Sequence, residues 1–457
     1  MIETWIGEDK FRDGMRIYMA AHKYNNSTSA DLWAALSQAA NRDVGKVAAG
    51  FTEQPGIPLI HVARACEKGH AQIALTQDRF TINDPHPKAL SWIIPVTYGA
   101  PGTAPQQLLL SSDPQTITLA KCNSPVKLNF GETGYYRTQY DAASLKALQA
   151  IMPKLDATDR VNLLGDQFAL FVANRAPLSD YLALLPALKS EHSIAVWQDT
   201  LDHLKHLTDI LQGSDQEAGF NKYAVSLVRP QLARLGWDAK PNESFLDTVL
   251  RPQLIEALGQ FNDPQTIAAA NKRFAAFIKD SASLPPAQRD PVFNIVGHHA
   301  DQATYDTLKK LGTEAVSTEE KLRYFEAMGT AADPALMQQS VAFATSGAIP
   351  NGRILSIIQS ASRNSGNPEL LFKLVLQHEA DFAARIPADG FGITAPMVAV
   401  IGSSNPDTAK AMLALKSSTA SIGAKTWAAR IAGAINTAAE LRSRTVPVVK
   451  EWLASKH

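Results

Sequence analysis

Histidine is the residue type in this sequence whose spacing comes nearest to a catalytic motif. Zinc hydrolases use His-Glu-x-x-His, because two histidines four residues apart on a helix face one metal ion and the glutamate serves as general base. The only His-Glu pair is His378-Glu379, and Phe382 stands where the second histidine would be. Since phenylalanine cannot bind a metal ion, the motif is incomplete. We predict that His378 is a surface or packing residue of a helix.

A second pair, His203 and His206, lies three residues apart on a predicted helix. Both rings could face one metal ion, and Asp199 or Asp202 could add an oxygen ligand. Amphipathic helices often carry histidines at this spacing on their solvated face, however. A surface role is therefore favoured for this pair, with a metal site as the alternative.

His298 and His299, next to Asp301, are weak metal candidates because adjacent residues on a helix point in different directions. Neither a Gly-rich phosphate loop nor a Gly-x-Ser-x-Gly turn occurs. We expect Cys66 and Cys122 to be free thiols, because a chain this large needs no disulfide framework. The residues thus predict no catalytic or metal-binding site, and they identify no substrate-binding residue.

Length and composition narrow the classes of protein to which the chain could belong. At 457 residues it suggests about three domains, and 45% apolar with 19% charged residues suits a folded chain. Lys plus Arg and Asp plus Glu number 44 each, so no net field favours nucleic acid or anionic lipid. No apolar run reaches the roughly 20 residues of a membrane span, and no signal peptide is evident. The sequence does not assign a cellular compartment.

Hydrophobic periodicity divides the chain into three regions. Residues 1–55 have the period of helices, with Ser29 expected to cap a run from Asp31 to Ala40. After the breaker Gln54-Pro55-Gly56, residues 56–141 alternate short apolar stretches with turn residues, which is typical of a small β-sandwich. Residues 142–457 return to helical spacing throughout. The sequence predicts a mainly α chain with a small β-sandwich.

A helix-start signal recurs in the last region, where Asp or Asn caps the helix and proline takes its first position. It occurs at Asp263-Pro264, Asp333-Pro334, Asn367-Pro368 and Asn405-Pro406. The intervals are close to one or two helix pairs, which favours a helical solenoid. A compact helical bundle is the alternative, since the repeats share no other side-chain pattern.

An ordered series of segments resembles the zinc aminopeptidases of the aminopeptidase N / puromycin-sensitive aminopeptidase family. The segments are WIGEDKFRDGMRIYM (5–19), FTEQPGIPLIHV (51–62), QDRF (77–80), WIIPVTY (92–98), GYYRTQYD (134–141), DRVNLLGDQFAL (159–170) and LGW (235–237). Their order, more than any one of them, carries the resemblance. It implies the C-terminal half of such an enzyme, with the last helices of a thermolysin-like catalytic domain in residues 1–55, a β-sandwich in 56–141 and a helical domain in 142–457.

The resemblance also implies what the chain lacks. The family's substrate loop, zinc helix and transition-state tyrosine all precede the point that matches Met1. The segment Glu326-Ala327-Met328-Gly329 resembles the substrate loop only superficially, and we assign it no catalytic role. The resemblance implies that the parent hydrolase binds zinc, acts on peptide substrates and has a separate catalytic half. It also implies that this chain is inactive alone and that its helical domain shapes the access of substrates. The alternative is a standalone helical-repeat module that binds a partner protein; the apolar helices of residues 2–54 argue against it, since they would lack their packing partner.

Overall fold

A computed structural model of the protein describes residues 1–82, 84, 87–386, 394–415 and 422–456, with side chains from Lys425 onward in the last range. The chain divides into two compact units, Met1–Asp199 and Thr200–His457. Helices dominate both units, and the strands of the described residues lie between residues 57 and 140 of the first. The prediction of a mainly α chain with a small β region is confirmed.

Four helices open the first unit: α1 Ile2–Ile6, α2 Glu8–Ala21, α3 Ser29–Ala40 and α4 Val44–Thr52. Thr28 caps α3, because its hydroxyl accepts from the amide of Asp31 while the Asp31 carboxylate accepts from the Thr28 amide. The cap therefore lies one residue before the predicted Ser29. Buried apolar side chains hold these helices together, namely Trp5, Ile6, Leu36, Val44 and Val47.

The described residues of the first unit form seven strands in two small sheets: β1 Ile57–Glu67, β2 His70–Phe80, β3 Ile94–Gly99, β4 Gln106–Leu110, β5 Gln115–Leu119, β6 Lys127–Leu128 and β7 Arg137–Tyr140. One sheet has the order β5-β2-β1-β7 and the other β4-β3-β6. All pairs are antiparallel except β1 with β7, where Leu59 pairs with Arg137 and Val62 with Tyr140. β1 therefore pairs with β2 along one edge and with β7 along the other.

A disulfide joins Cys66 to Cys122, with the two Cα atoms 5.2 Å apart. The expectation of two free thiols is therefore wrong. Cys66 lies near the end of β1, beside the turn to β2, and Cys122 follows β5. Because β2 pairs with both β1 and β5, the two cysteines come together although they are far apart in sequence. Arg64 holds the same loop, since its guanidinium donates to the carbonyls of Cys122 and Ser124 at 2.8 Å each.

We expect replacement of both Cys66 and Cys122 by alanine to lower the free energy of unfolding of the sheets by about 2–4 kcal/mol, because the bridge restricts the unfolded chain. Denaturant titrations of both proteins, with and without reductant, measure the difference. Reductant should destabilise the parent protein and leave the variant unchanged. Two titratable thiols in the denatured, unreduced parent protein would contradict the bridge.

Helices α5 Ala142–Ile151, α6 Ala157–Val172, α7 Leu178–Leu182 and α8 Ile194–Leu211 follow the sheets. A network of buried charged and polar side chains joins α6 to β6. The Nζ of Lys127, a fully buried side chain, donates to the carbonyl of Leu128 at 2.7 Å and to Asn162 at 2.5 Å. It also lies 3.7 Å from the carboxylate of Asp159.

The same helix carries a second buried carboxylate, Asp166, which accepts from the guanidinium of Arg137 and the amide of Thr138, both at 3.0 Å. Burial raises the pKa of Asp166, and the charges of Arg137 and Lys127 oppose that rise. Two of the segments that resemble the aminopeptidase family, GYYRTQYD and DRVNLLGDQFAL, therefore bind each other.

Thirteen helices are described wholly within the second unit: α9 Glu217–Leu235, α10 Phe245–Gln260, α11 Pro264–Lys279, α12 Pro286–His298, α13 Gln302–Glu314, α14 Thr318–Gly329, α15 Pro334–Thr345, α16 Ile354–Asn364, α17 Pro368–Gln377, α18 Glu379–Arg385, α19 Thr394–Ala399, α20 Pro406–Ala414 and α21 Ile422–Ala454. All four predicted Asp-Pro and Asn-Pro starts are confirmed. The side chains of Asp263, Asp333, Asn367 and Asn405 each accept from a backbone amide in the first turn that follows.

Alternate helices of this unit pack on one another. We call α10, α12, α14, α16 and α19 the A helices, because each contacts the next in that series. The helices between them, α11, α13, α15 and α17, contact the A helix that follows. Glycines permit the close approach: a Cβ on Gly297 would lie 2.0 Å from the carbonyl oxygen of Ala327 on the next A helix. A Cβ on Gly259 would lie 2.3 Å from Ile295 in the same way.

Candidate functional site

A cavity of about 550 Å³ opens in the second unit where helices end. Its lining includes Asp209 near the end of α8, Gln260 at the end of α10, His298 at the end of α12, Glu326 in the last turn of α14 and Asn364 at the end of α16. A helix C-terminus carries partial negative charge, because its last carbonyl groups have no partner within the helix. The wall is therefore polar and rich in hydrogen-bond acceptors.

The adjacent histidines lie where neighbouring A helices end. The Nδ1 of His298 lies 3.2 Å from the carbonyl oxygen of Thr330, just after the end of α14, and can donate to it. The backbone of Gly259, near the end of α10, acts on the pKa of His299. The two rings stand nearly perpendicular, at 88°. Their centroids are 4.7 Å apart, so the two rings contact each other rather than diverge. That these histidines bind no metal stays a prediction.

The surroundings of these rings keep them neutral at pH 7. Burial lowers the pKa of His298. His299 is an exposed residue, but desolvation of its ring and the neighbouring His298 together lower its pKa to about 4. Both shifts disfavour the imidazolium form, so the pair adds no positive charge to the cavity.

The carboxylates outnumber the cationic groups at the cavity wall. Asp209, Glu217, Glu256 and Glu326 line it together with Lys205 and Arg363. Asp209 is exposed toward solvent, but the surrounding wall desolvates its carboxylate and raises its pKa to about 6, with the charge of Lys205 opposing that rise. This group is therefore still mainly ionised at pH 7. Among the described residues of the wall, carboxylates exceed cationic groups by two.

The other sequence candidates lie away from this arrangement. His378 sits between α17 and α18, where its Nδ1 is 2.9 Å from the carboxylate of Asp381, and Phe382 is buried. His203 and His206 lie on α8, where His203 is half-buried and His206 is exposed, and desolvation by neighbouring groups lowers the pKa of His206. Across the part of the chain that the structure describes, no three His, Cys, Asp or Glu side chains are grouped to hold a metal ion. The described residues therefore do not fit a zinc site.

Sequence reasoning missed the cavity, although a signal for it was present. Each Asp-Pro or Asn-Pro start lies at the turn that leaves an A helix, so the residues just before these starts occupy the same end of successive helices. Gln260, Asn364 and Gly402 precede such starts and line the cavity. Aligning the four starts would have placed these residues side by side.

Comparison with known proteins bears on the same regions. The model of the "ERAP1-like C-terminal domain" family matches residues 125–435, more than half of the chain, and the "Peptidase family M1 domain" matches residues 1–51. The chain belongs to the M1 aminopeptidase family. The resemblance seen in the sequence is confirmed, and the chain corresponds to the C-terminal part of such enzymes. The cavity lies wholly within the residues matched by the first of these models.

The M1 relatives are longer than this chain. "Aminopeptidase M1-C" of Oryza sativa subsp. japonica is 31% identical over 366 residues, which cover 75% of this chain and 40% of the relative. "Aminopeptidase M1" of Arabidopsis thaliana is 27% identical over 426 residues, covering 88% and 48%. "Aminopeptidase 2" of Candida albicans is 29% identical, covering 74% and 37%. The chain spans about half the length of the curated relatives it matches, or less.

Proposed function

We propose that this chain is the non-catalytic C-terminal portion of a zinc metallo-aminopeptidase, and that its helical unit shapes the access of peptide substrates. The observation that carries the proposal is the open polar cavity in the residues matched by the ERAP1-like C-terminal domain. The parent enzyme removes N-terminal amino acids from peptides and holds zinc in its catalytic portion, whereas this chain contributes binding and access.

The domain layout proposed from the sequence has three parts. Residues 1–55 are helices of a catalytic domain, 56–141 form a β-sandwich, and 142–457 form the helical domain. The M1 peptidase match to residues 1–51 and the two sheets between residues 57 and 140 support this division. No helix among the described residues has the length and apolar character to cross a membrane.

The helical domain is proposed to be a solenoid. Its support is the packing of each A helix on the next, because in a stack of helix pairs each repeat contacts only its neighbours. The recurring Asp-Pro and Asn-Pro starts at the turns that leave the A helices support the same arrangement. A stack of this kind offers an extended surface on which peptide tails of different lengths can lie.

The rival function is a standalone helical-repeat module that binds a partner protein. The M1 match in residues 1–51 favours the aminopeptidase reading, because a binding module has no need of peptidase-domain helices. The genomic sequence upstream of Met1 distinguishes between the aminopeptidase portion and the standalone module. An open frame that encodes His-Glu-x-x-His supports the aminopeptidase portion, and its absence supports the module.

The chain alone is expected to bind no stoichiometric zinc, to release no amino acid from aminoacyl reporter substrates, and to bind peptides nonetheless. Metal analysis, an aminopeptidase assay and fluorescence anisotropy with dye-labelled peptides measure the three properties. One zinc per chain with chelator-sensitive turnover would contradict the non-catalytic role. Absence of peptide binding at millimolar concentration would contradict the proposed cavity function.

Recombination with a separately produced catalytic portion extends this test. Phe11 on α2 is unsuitable as a probe of this association, because it packs against the N-terminal core with Trp5 and Leu36 and its substitution would damage the helices themselves. Met19 is the better probe, because 62% of the residue's surface is exposed. Met19→Asp should weaken the association, whereas Val316→Asp, at an exposed site of the helical unit, should leave it unchanged.

A further inference from the structure

The only two cysteines of the chain form one disulfide, which links the two neighbours of β2. Cys66 lies near the end of β1 and Cys122 follows β5, and β2 pairs with both of these strands. The cysteines are 56 positions apart in sequence, and the chain between them contains β2, β3, β4 and β5. The bond therefore joins two parts of the sheet that are distant along the chain.

The segment that Cys122 anchors has no regular structure of its own. Residues 120–126, which we call the β5–β6 loop, are described throughout and form neither helix nor strand. Within the loop the amide of Ser124 donates to the carbonyl of Lys121 at 3.0 Å. Lys121 and Asn123 are exposed, so water competes for the hydrogen bonds of the loop and each contributes little net stability. The position of the loop therefore depends on contacts from outside it.

β1 supplies these outside contacts through the disulfide and through Arg64. The guanidinium of Arg64 donates to the carbonyls of Cys122 and Ser124 at 2.8 Å each. It also donates to the hydroxyl of Ser144 on α5 at 3.1 Å, and the Arg64 amide donates to the carboxylate of Asp141, the N-cap of α5. One strand thus holds both the β5–β6 loop and the first turn of α5, and the disulfide is the covalent part of this arrangement.

The loop leads directly into the buried core of the first unit. Val126, its last residue, is buried, and the next residue is Lys127, the buried cation beside Asp159. The hydrogen bonds of the Lys127 Nζ hold the chain from that residue onward. Loss of the disulfide should therefore be felt in the loop, between the end of β5 and this second anchor.

The disulfide lies where reagents in solution can reach it. Cys66 is an exposed residue and Cys122 is half-buried. A disulfide is broken by attack of a thiolate on one of its sulfur atoms, so access decides how readily thiols exchange with it. Compartments rich in reduced glutathione or thioredoxin keep protein thiols reduced, whereas oxidising compartments preserve disulfides. The state of this bond is therefore sensitive to the redox conditions around the protein.

We propose that the Cys66–Cys122 disulfide is a redox-sensitive clamp, which keeps the β5–β6 loop closed in an oxidising compartment and lets it open when the bond is reduced. The proposal goes beyond the peptide-access function and does not depend on it. After reduction, the hydrogen bonds of Arg64 remain as the weaker attachment of the loop.

The chemistry of the clamp is thiol–disulfide exchange. When the bond forms, the two thiols lose two electrons and two protons, and the disulfide of an oxidoreductase or of an oxidised small thiol takes them up and becomes two thiols. When the bond opens, an attacking thiolate forms a mixed disulfide with Cys66 and the sulfur of Cys122 leaves as a thiolate. A second thiol then releases Cys66 and completes the exchange.

Hydrogen exchange followed by mass spectrometry on the full 457-residue chain tests the clamp. The chain is compared before and after treatment with a phosphine reductant under native conditions. Peptides that cover residues 120–126 should exchange at least about tenfold faster after reduction, because the loop then opens locally. Peptides from β1 and β2 should stay more protected than the loop in both states, and peptides from α9 to α16 should be unchanged.

Substitutions separate the loss of the bond from other effects of the reductant. The Cys66→Ser, Cys122→Ser double variant should exchange in the loop as the reduced chain does, and it should not respond to reductant. Asn123→Ala is the matched control, because it changes an exposed side chain of the same loop and should keep the full response. If the double variant does not fold, the chemically reduced chain still decides the question.

Three results would overturn the proposal. The first is a β5–β6 loop that exchanges at the same rate in both redox states. The second is a reduced chain in which β1 and β2 exchange as fast as the loop, since the disulfide would then support the whole sheet rather than clamp one segment. The third is the tagging of both cysteines by a thiol-specific reagent after rapid acid quenching of the cells that make this protein; the clamp requires both to be untagged there.

Discussion

Replacement of Lys127 by methionine is expected to lower the free energy of unfolding of the first unit by about 3–5 kcal/mol, because it leaves a buried carboxylate without its cation. The Nζ of Lys127 contacts Asn162 and lies 3.7 Å from Asp159, and all three side chains are buried. Burial lowers the pKa of Lys127, and the surrounding carboxylates, Asp159 first, oppose that shift.

A second substitution should restore most of the loss. In the Lys127→Met, Asp159→Asn double variant no charge of this pair remains, and asparagine can still accept from the amide of Gly131. Denaturant titration with hydrogen exchange over residues 127–172 measures each step. The control is Asp9→Ala, which removes an exposed ion pair with Arg12 and should change stability by less than about 1 kcal/mol. A loss for Lys127→Met as small as that of the control would show that the network contributes little.

The second large effect is expected at Gly297, where alanine should destabilise the second unit by about 1–3 kcal/mol or more. The new Cβ would lie 2.0 Å from the carbonyl oxygen of Ala327 and 2.8 Å from the hydroxyl of Thr330, so α12 and α14 must move apart. Since backbone rather than a flexible side chain is in the way, the two helices cannot relieve the clash locally.

A matched substitution separates this clash from helix propensity. Gly433, on α21, is exposed and has no heavy atom within 4 Å of the position of an added Cβ. Gly433→Ala should therefore stabilise the unit by about 0.5–1 kcal/mol, because alanine favours the helix. Thermal unfolding of the two variants should move in opposite directions. A gain in stability for Gly297→Ala would contradict the close approach of the A helices.

The elements set by local chemistry could be predicted from the sequence. At Asp263, the side chain caps the helix and the following proline starts it, so both signals lie within two residues and no distant contact is needed. The break at Gly56 is equally local, with a φ of 92° that favours glycine. Both features depend only on neighbouring residues, and the sequence therefore predicts them correctly.

Elements that depend on distant partners were missed. The sequence predicts short apolar stretches in residues 56–141, whereas β2 runs unbroken over 11 residues from His70 to Phe80. The polar side chains of β2 find hydrogen-bond and ion-pair partners in other segments. Gln77 donates to the carbonyls of Trp92 and Ser111, and Asp78 pairs with His61 and Arg175. The disulfide was missed for the same reason, since only the strand register brings its cysteines together.

The candidate site escaped sequence reasoning for a related cause. Glu256 and Glu326 are ordinary residues of amphipathic helices until the A helices stack, and glutamate in a helix predicts a solvated face. No local pattern tells that two such faces meet around a cavity. By contrast, the absence of His-Glu-x-x-His depends only on the order of residues, which the sequence displays directly.

The parallel pairing of β1 with β7 has a consequence for the synthesis of the chain. Ile60 pairs with Thr138, so the ribosome must add roughly eighty residues before the strand that emerged first meets its final neighbour. At usual elongation rates of about 5–20 residues per second, one edge of β1 waits unpaired for roughly 4–16 s. An open strand edge with buried-type side chains such as Leu59 and Ile60 is a template for wrong pairing during that interval. Chaperone binding to nascent chains should therefore be strongest while residues 57–140 are being translated, and should fall once Tyr140 has left the exit tunnel.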